Sequence, residues 1–181
     1  MITWVEGDDI FKIEGDIYVI TVNTVGVMGT GLADSFKKRC PLLYEQYRRD
    51  CRAKRLRIGA PLIYVDDQDI RYMMFPTKES WRNPSEYPYI SASLSWMRDA
   101  VGTEIEPEER IVMSPLGCHN GGLSFHAVSL MIDKYCSEMP TPITVVYPWY
   151  QPPHPTLMTE GSSCHEKGNF PPLRISLSTT L

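Results

Sequence analysis

The chain has 181 residues, 43% of them hydrophobic and 22% charged, with a formal net charge of −4. This length suits one domain with a sizeable core, and the apolar runs are far too short for a membrane span. The net negative charge argues against a strong nucleic-acid binder, and an N-terminus that carries acids lacks the pattern of a signal peptide, which predicts a cytoplasmic protein. The five cysteines contain no CxxC pair, which favours reduced thiols over a zinc site.

The first predicted elements surround a glycine-studded loop. A strand over residues 2–6 ends in turn residues, and an almost wholly apolar strand follows over 17–22, as expected for a strand covered on both faces. The loop that follows leads into a short helix, which starts near Gly31 and stops at Cys40 and Pro41. A second, basic helix is predicted over 43–55.

The second half of the pattern continues the alternation of strands and helices. Two strands, 62–65 and 72–75, form a predicted β-hairpin that runs out towards Lys78. Then follow a helix that opens at Tyr89, a strand over 110–114, a second helix capped by Ser124 and a last strand over 143–147. The helix that opens at Tyr89 has an apolar face formed by Ile90, Leu94, Met97 and Val101. This succession predicts an α/β fold, a three-layer α/β/α sandwich with a mixed central sheet.

A change in composition predicts the domain boundary. Residues 1–150 carry the predicted strands and helices, whereas residues 151–181 contain five prolines and eight serines or threonines. We expect this C-terminal tail to be extended or disordered. Its Cys164 and His165, together with His154, have no repeated ligand spacing, so we expect no metal site there.

Two glycine-rich loops are predicted at one edge of the sheet. The first follows the strand that ends at Val22, the second is PLGCHNGGL over residues 115–123, and both lead into helices. Free N–H groups at the start of a helix bind anions, so two such loops facing one crevice suit a diphosphate. The simpler interpretation is that the glycines only form tight turns between strand and helix.

The basic residues are unevenly distributed. Nine of the 18 lysines and arginines lie between residues 37 and 57, with three acids near them. Such a patch can attract a phosphate backbone, although a solvated helix face is the commoner explanation.

Three segments together resemble the macrodomain family. They are VNTVGVMGTGLADSFKKRCP, FPTKESWRNPS and PLGCHNGGL, and the similarity extends over residues 1–150. Within the family they are most similar to the branch that contains the DarG antitoxins, which remove ADP-ribose from DNA, and the related terminal ADP-ribose glycohydrolases. The resemblance implies a macrodomain fold and an ADP-ribose site. We expect no cofactor and no metal.

The resemblance also implies which residues contact ADP-ribose. Asp8 would accept the adenine amino group, with Asp9 and Ile10 on the same wall, and Asn23 would bond the distal ribose. Tyr147 would pack on adenine, although a core aromatic is the simpler interpretation of that residue. The diphosphate would lie between the two loops, contacted on one side by Gly29 and Gly31 and on the other by Gly117, Cys118, His119, Asn120, Gly121, Gly122 and Leu123. Val27 and Met28 are further expected contacts of ADP-ribose.

Lys78 is the catalytic candidate, because it stands where this branch carries its lysine. Cleavage at the anomeric carbon builds positive charge there, so the site needs a proton donor for the leaving group or a nucleophile, and a desolvated lysine can supply either. Trp81 and Arg82 follow it closely and can stack on a base and contact a phosphate; a loop anchored by a buried tryptophan is the alternative.

Two positions depart from the terminal glycohydrolase pattern. Gly121 stands where that group has a catalytic aspartate, and this Asn-Gly-Gly version of the loop is the DarG-like one. His119 replaces the usual glycine. It either acts as a general acid or base near the distal ribose, or narrows the pocket and weakens binding.

These features predict an ADP-ribosyl hydrolase that removes ADP-ribose from a modified nucleobase in DNA. Two other functions stay open: a non-catalytic reader of ADP-ribose, and a phosphatase acting on ADP-ribose 1″-phosphate, in which Lys78 has no clear role. The expected partners are ADP-ribose or ADP-ribosylated DNA, with no membrane and a monomeric state. A toxin partner is left open; with no second domain recognised in the sequence, we expect reversal of the modification rather than neutralisation by binding.

Overall fold

The computed structural model describes residues 1–148 together with Pro153 and Leu157. The predicted tail, and with it His154, Cys164 and His165, lies almost wholly outside the described residues. Six strands are present: β1 (Ile2–Glu6), β2 (Ile17–Asn23), β3 (Leu62–Val65), β4 (Arg71–Lys78), β5 (Ile111–Met113) and β6 (Ile143–Tyr147). Four α-helices connect them: α1 (Gly31–Arg39), α2 (Pro41–Arg52), α3 (Tyr87–Asp99) and α4 (Phe125–Cys136). A 3₁₀ turn, Ile10–Lys12, follows β1.

The strands form one mixed sheet in the order β1-β6-β5-β2-β4-β3. All neighbouring pairs are parallel except β3 and β4, which form the predicted antiparallel hairpin. Because β2, β4 and β5 run parallel, their carboxyl ends meet at one edge of the sheet, and the loops after these strands converge there.

Alternating side chains of the strands build two cores, one on each face of the sheet. In β2, Ile17 and Val19 face the core under α3 and α4, whereas Tyr18, Ile20 and Val22 face the core under α1 and α2. An apolar strand with this alternation needs helices on both sides. The three-layer α/β sandwich with a mixed sheet is therefore confirmed.

Several predicted boundaries were wrong by a few residues. Helix α2 starts at Pro41 rather than residue 43, because a proline fits the first turn of a helix, where its missing N–H costs nothing. Helix α3 ends at Asp99, so Val101 lies beyond it in a bridge with Ile105. Ser124 does occupy the N-cap position of α4, but its side chain makes no capping hydrogen bond.

The structure also bears on membranes, metals and thiols. Among the described residues, each helix is too short or too polar to cross a membrane. Over the same part of the chain, no three His, Cys, Asp or Glu side chains are grouped so that they could share a metal ion. The described cysteines are buried thiols: Cys40, Cys51, Cys118 and Cys136.

Candidate active site

A cleft of about 720 Å³ opens at the carboxyl ends of β2, β4 and β5. Its walls come from the turn after β1, the first glycine loop (residues 24–30), the segment after β4 and the second glycine loop (residues 115–123). The predicted site residues in these walls are Asp8, Asp9, Ile10, Asn23, Val27, Gly29, Gly31, Lys78, Trp81, Gly117, Cys118, His119, Asn120 and Gly121. A second cavity of about 480 Å³ adjoins it and shares Asp8, Pro115 and His119.

The first glycine loop is held in place by Asn23 at the end of β2. Its Oδ1 accepts hydrogen bonds from the N–H groups of Val25 and Val27, both at 3.2 Å, and its Nδ2 donates to the Val27 carbonyl oxygen at 2.7 Å. The hydroxyl of Tyr47 in α2 donates to the Asn23 carbonyl oxygen at 2.7 Å. Most of the amide's bonding capacity therefore fixes the loop, and one Nδ2 hydrogen is left to bond a ligand.

The N-terminus of α1 opens on the cleft. Thr30 occupies the N-cap position but makes no capping bond, and its hydroxyl accepts a hydrogen bond from Asn120 Nδ2 at 2.9 Å. Gly31, Leu32 and Ala33, whose N–H groups lack partners within the helix, all line the cleft. Uncapped N–H groups at the positive end of a helix dipole form an anion site, as expected for one side of a diphosphate.

Lys78 projects into the cleft from the end of β4. Its side chain is 9% exposed, and Nζ donates to the carbonyl oxygen of Asn120 at 2.8 Å. Within the described part of the chain, no carboxylate forms an ion pair with it. Removal from water disfavours the ammonium form and lowers the pKa of Lys78. A lysine in this state can act as an amine or transfer a proton more readily than a surface lysine.

Gly121 is packed so closely that it cannot carry a side chain without movement of the loop. A Cβ added there would overlap the Gly117 carbonyl oxygen and Ser85 Oγ, and the Ser85 N–H donates to the Gly121 carbonyl oxygen at 2.9 Å. The present loop conformation therefore has no room for an aspartate side chain at residue 121. In this loop conformation the site has Lys78 but no carboxylate at residue 121.

On the Asp8 side, the charges are paired locally. Lys12 Nζ lies 2.9 Å from Asp8 Oδ1, and this hydrogen bond lowers the pKa of the exposed Asp8 carboxyl. Asp9 accepts a hydrogen bond from the Phe11 N–H at 2.9 Å and so caps the 3₁₀ turn. His119 is exposed where the two cavities meet, on the same side as Asp8.

A few predicted residues lie outside the cleft wall. Tyr147 is 5% exposed and packs in the core, with its ring 6.1 Å from that of Phe125. Met28 belongs to the first loop but is buried in the core under α1 and α2, and Leu123 packs against the other core. Gly122 adopts φ +77 at an exposed turn, and the Arg82 guanidinium lies 4.3 Å above the Trp81 ring. Their proposed contacts with a ligand stay predictions, and the one for Tyr147 would require its ring to leave the core.

Sequence reasoning missed three residues that shape the site. Tyr47 fixes Asn23, Thr30 joins the two glycine loops through Asn120, and Ser85 supports Gly121. Each partner is distant in sequence, by 24 residues for Tyr47 and 90 for Thr30. No local pattern marks such pairs, so only the fold reveals them.

Comparisons with known proteins identify the family. No family model matches the chain. The macrodomain of Mycobacterium tuberculosis DarG, a solved structure, is 34% identical with a TM-score of 0.74, over 82% of this chain and 97% of that one. The chain belongs to the macrodomain family. The structure titled Thermosipho africanus DarTG in complex with ADP-ribose is 29% identical with a TM-score of 0.73, over 80% of this chain and 41% of that one.

Curated relatives carry a more specific name. The DNA ADP-ribosyl glycohydrolase of Mycobacterium tuberculosis is 34% identical over 152 residues, which is 82% of this chain and 42% of the relative. The chain thus spans less than half the length of the curated relatives it matches.

Proposed function

We propose that this macrodomain hydrolyses the bond that joins ADP-ribose to a nucleobase in DNA. Lys78 carries the proposal. It is buried in the cleft, it has no carboxylate partner in the described chain, and burial lowers its pKa. Relatives named DNA ADP-ribosyl glycohydrolase, and a neighbour solved with ADP-ribose, support both the ligand and the substrate.

The geometry favours binding of different parts of ADP-ribose by different parts of the cleft. The N-terminus of α1 and the second glycine loop would hold the diphosphate, and Asn23 would bond the distal ribose with its remaining hydrogen. The distal ribose would then lie beside Lys78. Hydrolysis breaks the bond between the anomeric carbon and the base; the hydroxyl of water goes to the carbon and its proton to the base. Lys78 would assist either by protonating the leaving base or by attacking the anomeric carbon as an amine. In the second case the base leaves with a proton, and water then cleaves the bond between the lysine and ADP-ribose and regenerates the amine.

A test compares release of ADP-ribose from ADP-ribosylated single-stranded DNA by the wild type and by Lys78→Ala. We expect Lys78→Ala to lose release by about 100-fold or more, the scale of a lost acid, base or nucleophile. ADP-ribose binding, measured by calorimetry, should survive in this variant. Lys134→Ala removes an exposed lysine of α4 and serves as the matched control. Equal release by the wild type and Lys78→Ala would remove Lys78 from the mechanism.

A reader of ADP-ribose is the second candidate, and the packing around Gly121 favours it, because the loop leaves no room for the catalytic acid of the terminal glycohydrolases. Tight ADP-ribose binding without turnover of any conjugate, on DNA or protein, would support the reader. Release of phosphate from ADP-ribose 1″-phosphate, detected colorimetrically, would instead reveal the phosphatase.

A further inference from the structure

We infer that a single DNA strand runs from the mouth of the cleft across the first glycine loop to the basic face of α2. This inference rests on the proposed function, since it names how the DNA around the modified base is held. The path has three parts: an aromatic platform, an apolar loop and a row of arginines.

The platform is Trp81 at the wall of the cleft. Its side chain is 51% exposed, and the Arg82 guanidinium covers one side at 4.3 Å from the ring centroid. An exposed indole ring beside a guanidinium is a pairing that can stack on an unstacked base and contact its phosphate. A base joined to ADP-ribose must leave the stack to enter the cleft, so its neighbour needs such a platform.

The first glycine loop connects the platform to α2 without a gap. The Thr24 N–H donates to the Glu79 carbonyl oxygen at 3.0 Å, which joins this loop to the segment that carries Trp81. Val25 and Val27 are 53% and 40% exposed on the loop. On the other side, a Cβ placed on Gly26 would lie 3.5 Å from Arg48 Cα, so the loop rests directly on α2.

The row of arginines starts at this contact. Arg52 is one helical turn after Arg48 and therefore extends along the same side of α2, with Arg49 beside it on the exposed face. Arg48 is paired with Glu45 at 3.0 Å, and Arg55 with Asp50. Among the described residues, no carboxylate forms an ion pair with the remaining exposed cations in α2 and just after it, Arg49, Arg52, Lys54 and Arg57.

The exposed positive charge at α2 favours a polyanion as the ligand of this surface. The whole chain carries −4, so a surface with this many uncompensated cations runs against the sign of the molecule. A solvated helix face would explain the cations alone, but it does not explain why α2 packs against a loop that carries two exposed valines and is bonded on its other side to the segment of the exposed tryptophan. Phosphates on cations with bases on an aromatic platform describe a single strand; an acidic protein would leave the platform unused.

The test measures binding of an unmodified fluorescent single-stranded oligonucleotide by anisotropy, which does not depend on catalysis. Arg49→Glu/Arg52→Glu should weaken binding at least tenfold and reduce the slope of log K against log salt by about one to two, as expected for two lost phosphate contacts. Arg98→Glu/Lys134→Glu on α3 and α4 changes the net charge equally and should have little effect. Trp81→Ala should weaken binding by about 10-fold with little change in the salt slope.

Two further measurements keep the outcomes distinct. Arg49→Gln/Arg52→Gln repeats the test without placing acids at the end of α2, and circular dichroism verifies that each variant is folded. ADP-ribose release is measured on a long oligonucleotide and on an ADP-ribosylated dinucleotide, where the arginine variants should raise KM only for the long substrate. If the arginine variants weaken oligonucleotide binding but the wild type releases no ADP-ribose, the strand path is supported and the proposed function is rejected. Equal binding by wild type and both arginine variants, or preference for an acidic peptide over DNA, would overturn the strand path.

Discussion

Replacing Gly121 by alanine tests the packing that distinguishes this site. The added methyl group overlaps the Gly117 carbonyl oxygen and Ser85 Oγ, so the second glycine loop must move. Overpacking of this kind costs about 1–3 kcal/mol. Movement of this loop can also break the hydrogen bond from the Ser85 N–H to the Gly121 carbonyl oxygen, which contributes about 0.5–1.5 kcal/mol to stability. We expect Gly121→Ala to lower the free energy of unfolding by about 2–4 kcal/mol.

Thermal unfolding followed by circular dichroism measures this change, and a loss of that size corresponds to about 5–15 °C in Tm. Gly29→Ala is the matched control, since a Cβ at Gly29 meets nothing within 4 Å. Its Tm should stay within about 2 °C of the wild type. Calorimetry should nevertheless find weaker ADP-ribose binding by Gly29→Ala, because the methyl group enters the space proposed for the diphosphate.

The refuting result is an unchanged Tm for Gly121→Ala. It would mean that the loop moves away from Ser85 at no cost, and that the absence of an acid at this position has no structural reason. A Gly29→Ala variant with full ADP-ribose affinity would separately reject the placement of the diphosphate along the first glycine loop.

Further predictions concern ionisation and the support of the loops. Burial lowers the pKa of Lys78 below 10.5, so the part of the pH–rate profile that depends on Lys78 should have its midpoint below pH 10.5. The rate should rise with pH if the amine attacks the anomeric carbon, and fall with pH if the ammonium donates a proton. A midpoint at pH 10.5 would contradict the desolvation of Lys78. Hydrogen bonds from Arg110 hold the pKa of Asp16 below its ordinary 3.8, so their stabilisation is complete above about pH 4 and is lost as the pH falls through the lowered pKa. Asp16→Asn should therefore lower Tm at pH 7 and have a shrinking effect towards pH 2 in thermal melts. Tyr47→Phe removes the donor to the buried Asn23 carbonyl oxygen and should cost about 1–3 kcal/mol in urea unfolding, with weaker ADP-ribose binding; unchanged values for both would exclude this support.

The sequence predicted the fold well because its signals are local. Apolar strands, glycine-rich loops and helical stripes each depend on a few consecutive residues, and together they indicated the layers, the hairpin and the edge where the site lies. Boundaries were less accurate, since the end of α3 depends on contacts of residues 100–105 rather than on its apolar stripe.

The alternation of side chains along β6 already indicated which face of the sheet Tyr147 occupies. Tyr147 is two and four residues after Val145 and Ile143, so all three side chains point to the same face, and that face is the core under α4. This alternation thus favours a core position over a contact with adenine. No comparable rule links Thr30 to Asn120 or Ser85 to Gly121, because those contacts form only after the sheet brings distant loops together.

The hydrogen bonds around Asn120 connect ligand binding to the lysine. Its side chain donates to Thr30 across the cleft, and its carbonyl oxygen accepts from Lys78. A diphosphate between the two glycine loops would enter the region that Asn120 bridges, so binding would act on the residue that holds the lysine amine. Since no described carboxylate fixes the charge of Lys78, its protonation depends on how completely the cleft excludes water. Occupancy by ADP-ribose would increase that exclusion, which favours the neutral amine, whereas the negative diphosphate would favour the ammonium, so the pH–rate profile of the bound enzyme measures which of the two effects is larger.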